Sequence, residues 1–237
     1  MVEKIAHCPR RYELDLAAPI EQTTSPALYV GSTFHLVQRS YFEARMLNVR
    51  LSLDDVLQIF EQYWGSNTGA EERVIDWKRE NPDEHRELCR EMVKAYFVYA
   101  EQITPVMVET KLTKELPELD VTVSGIIDLI TSNTTVLDYK TSSIFPYKTD
   151  IDRSMQPTFY YLLCGGFRLF EYHYIIKDKL PVVRIFPTKR NEGHINFLTN
   201  SLIPAVIKHV QTGAFPPYGV FNGQCHWCTY RGFCGTL

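Results

Sequence analysis

The stretch GIIDLITSNTTVLDYKT, residues 125–141, sets two short apolar runs on either side of TSNTT, a cluster of turn formers. Each run reads as a buried strand, yet Asp128 interrupts the first and Asp138 and Lys140 sit in the second. An ionised group in such a place is costly unless it is paired, hydrogen-bonded or bound to a metal. A hairpin folded about Asn133 sets residue 128 opposite residue 138. Directly paired residues have Cβ atoms about 4.5–5.5 Å apart, so two ionised carboxylates there repel and raise one pKa. A divalent cation between them removes the conflict. Alternation along the strand places Asp138 and Lys140 on one face and turns Tyr139 to the other. Hydrolysis of a phosphodiester needs such a set: a metal to polarise the phosphate and lower the pKa of water, and a cation beside it to orient the nucleophile or offset charge. A buried Asp–Lys ion pair, with Asp128 capping a turn, accounts for the same residues without any catalysis.

Outward from this hairpin the texture divides in two. From Pro105 the chain is β-branched and alternating: VMVETKLTKEL, LDVTVSGIIDLI and TVLDYKT, then YHYIIK and VVRIFP. The first half reads as helical. SPALYVGSTFHLVQRSYFEARML opens with Ser25 as N-cap and Pro26 at the first helical position. SLDDVLQIFEQYW has Ser52 and Asp55 at capping-box spacing. A longer helix runs from about Pro82 to Gln102 with Leu88, Met92, Ala95, Tyr96 and Tyr99 on one side. Three adjacent strands, a helix, two more strands and a last helix at Ile195–Gln211 predict an α/β fold, a central mixed sheet flanked by helices with a helical N-terminal elaboration. With no Gly/Ser linker or internal repeat, one domain over 1–237 is expected, divided into a helical region at 26–103 and an α/β core at 105–190.

Bulk composition narrows the classes. The 237 residues are 45% hydrophobic and 22% charged with a net charge of −3, ordinary for a globular protein and without a general pull toward nucleic acid. No apolar run approaches the roughly 20 residues that span a bilayer, and MVEKIAHCPRRYEL lacks the apolar stretch of a secretory signal. A soluble, intracellular protein with no membrane partner is the expectation. Six cysteines without a secretion signal then favour metal ligands or buried thiols over disulfides, with Cys89 and Cys164 as small apolar residues in helices.

GIIDLI, followed about ten residues later by DYKT, resembles the motif core of the RecB-like branch of PD-(D/E)XK nucleases, and MQPTFYYLL resembles its downstream Q-x-x-x-Y signature. The resemblance implies a restriction-endonuclease-like core in which Asp128 and Asp138 bind Mg²⁺ or Mn²⁺ and Lys140 is catalytic. Gln156 and Tyr160, four apart, project from one helix face that closes over the site and DNA. His35 shares a helical stripe with Leu28, Gly31, Gln38 and Phe42 and reads, taken alone, as a core histidine. Gly31 with His35 matches the family's G-x-x-x-H, which implies a third metal ligand, and imidazole suits Mn²⁺ better than Mg²⁺. Glu109 reads either as a carboxylate behind the ligands or as a solvated strand residue.

At the C-terminus QCHWCTYRGFC gives C-x₂-C-x₅-C through Cys225, Cys228 and Cys234, and Cys8 in HCPRRYEL is the candidate fourth thiol. Three thiols this close are a metal signal, with zinc the first thought and His226 a conceivable substitute ligand. One cysteine before the nuclease core and three after it resembles the iron-sulfur subset of the superfamily, the CRISPR-associated Cas-four nucleases and the nuclease domain of AddB. That implies a [4Fe-4S] cluster on Cys8, Cys225, Cys228 and Cys234, a module at 8 and 225–234 stapling the chain ends. Arg10, Arg11 and Arg231 are the local basic group for phosphates, and Trp227, Tyr230 and Phe233 are available to stack bases; a solvated rim around a packed cluster fits these residues equally. The resulting expectation is a metal-dependent DNA exonuclease acting on single-stranded or free-ended DNA, not on a small molecule. CRISPR adaptation or phage and recombination DNA processing, with integration or recombination proteins as partners, is the implied setting. Two alternatives stay open: a catalytically quiet DNA-binding adaptor subunit of such a complex, and a zinc-stabilised protein acting on something else.

Overall fold

The computed structural model describes residues 2–17, 24–66 and 75–234. In chain order the elements are helices α1 (Val2–His7), α2 (Pro9–Ala17), α3 (Pro26–Met46), α4 (Leu53–Ser66) and α5 (Pro82–Ala100). Strands β1 (Pro105–Leu116), β2 (Val121–Thr131) and β3 (Thr135–Ser142) follow, then helices α6 (Lys148–Arg153) and α7 (Gln156–Cys164). Strands β4 (Leu169–Ile176) and β5 (Val182–Thr188) precede helices α8 (Glu192–Phe197), α9 (Ile203–Thr212) and α10 (Gly219–Asn222). They form two compact units, residues 22–190 and residues 1–21 with 191–237. No helix among the described residues is long and apolar enough to cross a membrane.

Local chemistry sets the element ends. The Ser25 hydroxyl accepts from the Leu28 N–H at 3.3 Å ahead of Pro26, and Asn81 caps α5 in the same way ahead of Pro82. At α4 the box is reciprocal: Asp55 Oδ2 accepts from the Ser52 N–H at 2.8 Å while Ser52 Oγ accepts from the Asp55 N–H at 3.2 Å.

In the larger unit a five-stranded sheet runs in the order β1-β2-β3-β4-β5, antiparallel except for the parallel β3–β4 pair. The β3–β4 crossover passes through α6 and α7, the connection a parallel pair requires. Helices α3, α4 and α5 bury Phe34, Phe42, Phe60, Met92 and Tyr96 against Leu129, Leu137, Tyr139 and Ile175 of the sheet. Tyr139 faces this helical layer, so by alternation Asp138 and Lys140 face the other side, where α7 packs. The fold is α/β, a mixed five-stranded sheet flanked by helices.

Four readings of the sequence are corrected. In the His35 stripe Gln38 and Phe42 are buried but Leu28 is 58% exposed, and the buried face of α3 begins with Tyr29 and Val30 and continues through Phe34, Val37, Tyr41 and Phe42. On α5 the buried residues are Cys89, Met92, Val93, Tyr96 and Ala100, and Tyr99 is 38% exposed: the buried stripe is rotated by about one residue. The last helix is not continuous, since a π-helical turn at Leu198–Leu202 separates α8 from α9, with Pro204 in the first turn of α9. Helices α1 and α2 were not expected; their periodicity is too short to read. Cys89 is buried with its thiol 3.6 Å from the Val30 carbonyl, and Cys164 is half-buried.

In the terminal unit the two chain ends meet. Asn222 Nδ2 donates to the His7 carbonyl at 2.7 Å and the Arg10 N–H donates to the Pro216 carbonyl at 3.3 Å.

Candidate active site

The ladder between β2 and β3 pairs Ile130 with Val136 and Leu129 with Leu137, a register that carries Asp128 to the level of Asp138. The pairing stops there. Backbone groups freed where two strands part need other partners, and Tyr139 finds both. Its N–H donates to Asp128 Oδ2 at 2.9 Å, and its carbonyl accepts from His35 Nε2 at 3.1 Å. The candidate site is this fork.

That second hydrogen bond fixes the tautomer of His35. With the proton on Nε2, Nδ1 presents a lone pair, and it faces Asp128 Oδ2 at 3.5 Å. Two acceptors then face each other, and burial holds the imidazole pKa below its ordinary value, so His35 is neutral. A cation between them satisfies both, and a histidine that gives its other ring N–H to a carbonyl is the usual posture of a metal ligand. Glu109 completes the set. Ligand atoms of His35, Glu109 and Asp128 all lie within 4.8 Å of one another. The β1–β2 register, Val108 with Leu129 and Thr110 with Ile127, flanks Glu109 and Asp128 as the intervening pair. Glu109 has φ +42, a left-handed kink in mid-strand that aims its carboxylate into the fork and stores backbone strain at the site. The donor set of one imidazole and two carboxylates fits Mn²⁺ or Mg²⁺.

Asp138 is not in that trio. Lys140 Nζ stands 2.6 Å from Asp138 Oδ2, although that oxygen has no well-aligned hydrogen bond, and Gln156 Nε2 donates to Oδ1. Gln156 in turn donates to Tyr160 Oη at 3.2 Å and accepts from Tyr172 Oη at 3.3 Å, so its amide can face only one way. Tyr160 Oη donates to the Ile126 carbonyl at 2.6 Å, pinning α7 to β2. Gln156 and Tyr160 therefore orient Asp138 rather than touch the fork. Arg190, buried, ties the segment before α7 to β5 through the Ser154 carbonyl at 2.7 Å and Thr158 Oγ1 at 2.9 Å.

Two glycines permit the approach of the helices. A Cβ on Gly31 would stand 3.0 Å from Thr141 Oγ1, and one on Gly125 would stand 3.0 Å from Leu163 Cδ1. Gly31 thus lets α3 lie close enough to β3 for His35, one turn on, to reach Tyr139. Gly31→Ala gains helix propensity but pushes Thr141 or the helix away. We expect a Tm change of a few degrees and Mn²⁺ affinity lowered about tenfold, with Thr141→Ala in the same chain recovering it. No recovery would mean that Gly31 does not set the helix–strand spacing.

Burial raises the pKa of Asp128 and of Asp138, the latter further through Asp128, and burial first and Asp128 second push Glu109 up to about 7. Raised folded-state values give stability that is complete below the unfolded carboxylate range, about 3.9–4.3, and lost as pH rises through the folded values. Without metal, Tm should fall from about pH 5 to about pH 8 through this site, and Mn²⁺ should restore it most at the upper end. Calorimetric titration with Mn²⁺ in buffers of different ionisation enthalpy should show proton release at about pH 6 and little at about pH 8. Proton release independent of pH would sink this assignment of Glu109.

The superfamily profile of PD-(D/E)XK nucleases matches residues 1–235. The chain belongs to the PD-(D/E)XK nuclease superfamily. Its members cleave DNA with a divalent ion. No curated protein matches the sequence. A crystal structure from Eubacterium rectale, provisionally assigned as an exonuclease, superposes with TM-score 0.51 at 13% identity over 90% of this chain and 78% of that one, a likeness of fold. The protein SSO0001 aligns at TM-score 0.40 and 16% identity over 100% of this chain and 96% of that one.

The remaining candidates of this nuclease lie in the terminal unit. Cys8, Cys225, Cys228 and Cys234 line one cavity together with Arg11, Leu14, Pro217 and Arg231. Desolvation and the neighbouring thiols hold Cys225 above the ordinary thiol range. Arg10 is ion-paired with Glu13, and Arg11 and Arg231 face the thiols, so the basic group is partly committed to protein contacts. Tyr230 is buried at 2%, which removes it from base stacking; Phe233 is 75% exposed, and the side chain of Trp227 lies outside the described residues. Sequence reading undervalued Glu109, whose partner across β1–β2 depends on a register that no local signal encodes. It gave the backbone of Tyr139 no role.

Proposed function

We propose that this nuclease is a Mg²⁺- or Mn²⁺-dependent exonuclease acting on single-stranded or free-ended DNA, with its two units forming one functional domain. The observation that carries the reading is His35 Nδ1 facing Asp128 Oδ2 across the fork, with Lys140 on the adjoining strand. His35, Glu109 and Asp128, with Asp138 at the same level, would hold a divalent ion, which would supply Lewis acidity toward a phosphate and an attacking water. The chain's residues do the rest. Asp138, oriented by Gln156, holds Lys140 in place, and the Lys140 ammonium, 37% exposed, is positioned to orient the nucleophile and to offset charge on the phosphoryl oxygens. Tyr139 locks His35 and Asp128 to one strand so that neither must reorganise.

The terminal unit carries, in this reading, a [4Fe-4S] cluster on Cys8, Cys225, Cys228 and Cys234, as in Cas-four nucleases and AddB. Supporting it is the cavity that the four thiols line together. Free thiols suit a reducing intracellular setting, and the resemblance points to CRISPR adaptation or recombination proteins as partners. The test is anaerobic purification followed by digestion of end-labelled single-stranded DNA with Mn²⁺ or with chelator. A brown protein that shortens DNA stepwise only with metal supports both halves; a colourless one removes the cluster, and metal-independent or absent digestion removes the enzyme.

A further inference from the structure

The sheet face that carries Asp138 and Lys140 extends beyond the fork. Its register sets two rows across β3, β4 and β5: Asp138, Tyr172, Phe186 and Lys140, Tyr174, Arg184. The rings make one strip. Tyr172 and Tyr174 have centroids 6.1 Å apart, Tyr174 and Phe186 5.5 Å, and Phe186 and Phe145 6.1 Å, with Phe145 coming from the loop after β3. A cation stands at each end. Lys140 Nζ lies 5.6 Å from the Tyr172 centroid, and the Arg184 guanidinium lies 4.2 Å from that of Phe145. Arg184 is exposed and has no carboxylate partner among the described residues. In the same loop Ile144 is 76% exposed and Tyr147 79%. Of the carboxylates in this region, Asp150 accepts the Tyr147 N–H at 3.3 Å as a helix cap and Asp152 is paired with Lys148.

Half-buried rings between two cations, with Tyr172 buried against the lysine of the active site and Tyr147 exposed in the adjoining loop, match one kind of occupant. Unpaired bases stack on aromatic faces, and a guanidinium stacked on a ring still offers its edge to a phosphate. A duplex keeps its bases from the rings, and an acidic peptide would leave them uncovered. Two strand spacings, about 10 Å, separate β3 from β5, so a short run of backbone links Lys140 to Arg184. We infer that this strip, Tyr174, Phe145, Arg184 and Tyr147, is the track for a single strand of DNA next to the scissile bond, with bases on Tyr147 and a phosphate on Arg184. The inference rests on the nuclease reading above and names the form of DNA that the site accepts.

The test measures binding without hydrolysis. Anisotropy of a labelled oligothymidylate is recorded in chelator for the full chain and for Tyr147→Ala and Arg184→Ala, alongside a blunt duplex of equal length. Both side chains are exposed, so Tm should be kept. Each variant should weaken single-strand binding about tenfold, and Arg184→Ala should lower the salt slope by about one, with duplex binding unaltered. Unchanged single-strand affinity in both variants, or equal losses on single strand and duplex, would overturn the track. A wild-type chain that binds the single strand through these residues but does not digest it would keep the track and remove the nuclease reading; digestion with unaltered variants would do the reverse.

Discussion

Lys140→Ala is expected to lower metal-dependent DNA hydrolysis by about 10²–10⁴-fold while leaving Mn²⁺ affinity near that of the wild type. The split follows from the geometry. The close-set donor atoms belong to His35, Glu109 and Asp128, whereas the ion-pair partner of Lys140 is Asp138 at 2.6 Å. Removing the ammonium therefore takes away positive charge next to the phosphoryl group and the partner of a buried carboxylate, not a ligand. Asp128→Asn should lose both, since it removes the charge that faces His35 and the acceptor of the Tyr139 N–H. Steady-state digestion paired with calorimetric Mn²⁺ titration separates the two variants. Lys140→Ala retaining activity within about threefold would mean that the lysine is only the buried ion-pair partner of Asp138.

Cys225→Ser with Cys228→Ser is the second large effect. The terminal unit, residues 1–21 and 191–237, is smaller than the roughly 70–80 residues below which a core rarely supplies more than about 3–5 kcal/mol. Its two pieces are tied by the cysteine cavity and a few backbone contacts such as Asn222 to His7. With the proposed cluster on these thiols, losing half of them should abolish its visible absorption and drop amide protection in residues 2–17 and 219–234 to near that of an open chain. Protection in β2, β3 and α3 should persist, because their core is the separate cluster around Phe34, Phe60, Tyr96 and Leu137. Hydrogen exchange with mass detection reads both regions at once. Unaltered protection at the chain ends would show that no metal group holds them.

Wherever one stretch contains its own cause, the chain was readable as a sequence. Ser25-Pro26 and Ser52 with Asp55 start helices through side chains within three residues of the orphan N–H groups, so their positions needed no tertiary contact. The turn TSNTT fixed the β2–β3 register, and with it the equal level of Asp128 and Asp138, since a short loop leaves one pairing. Alternation assigned Tyr139 to one face and Lys140 to the other. The continuous last helix failed for the opposite reason: the pattern of Ile195–Gln211 does not carry the π-helical turn at Leu198–Leu202.

Residues 125–141 by themselves determined a hairpin, two acidic side chains at its fork and a lysine beside them, because strand alternation and loop length are local rules. Which carboxylate faces the histidine was decided only in three dimensions. Glu109 enters through the long-range β1–β2 pairing and a left-handed kink, His35 through a glycine that admits α3 to within contact of Thr141, and the four thiols through the meeting of two chain ends. Each of these depends on packing between segments far apart in the chain, where free energy is set by surfaces that no single stretch contains.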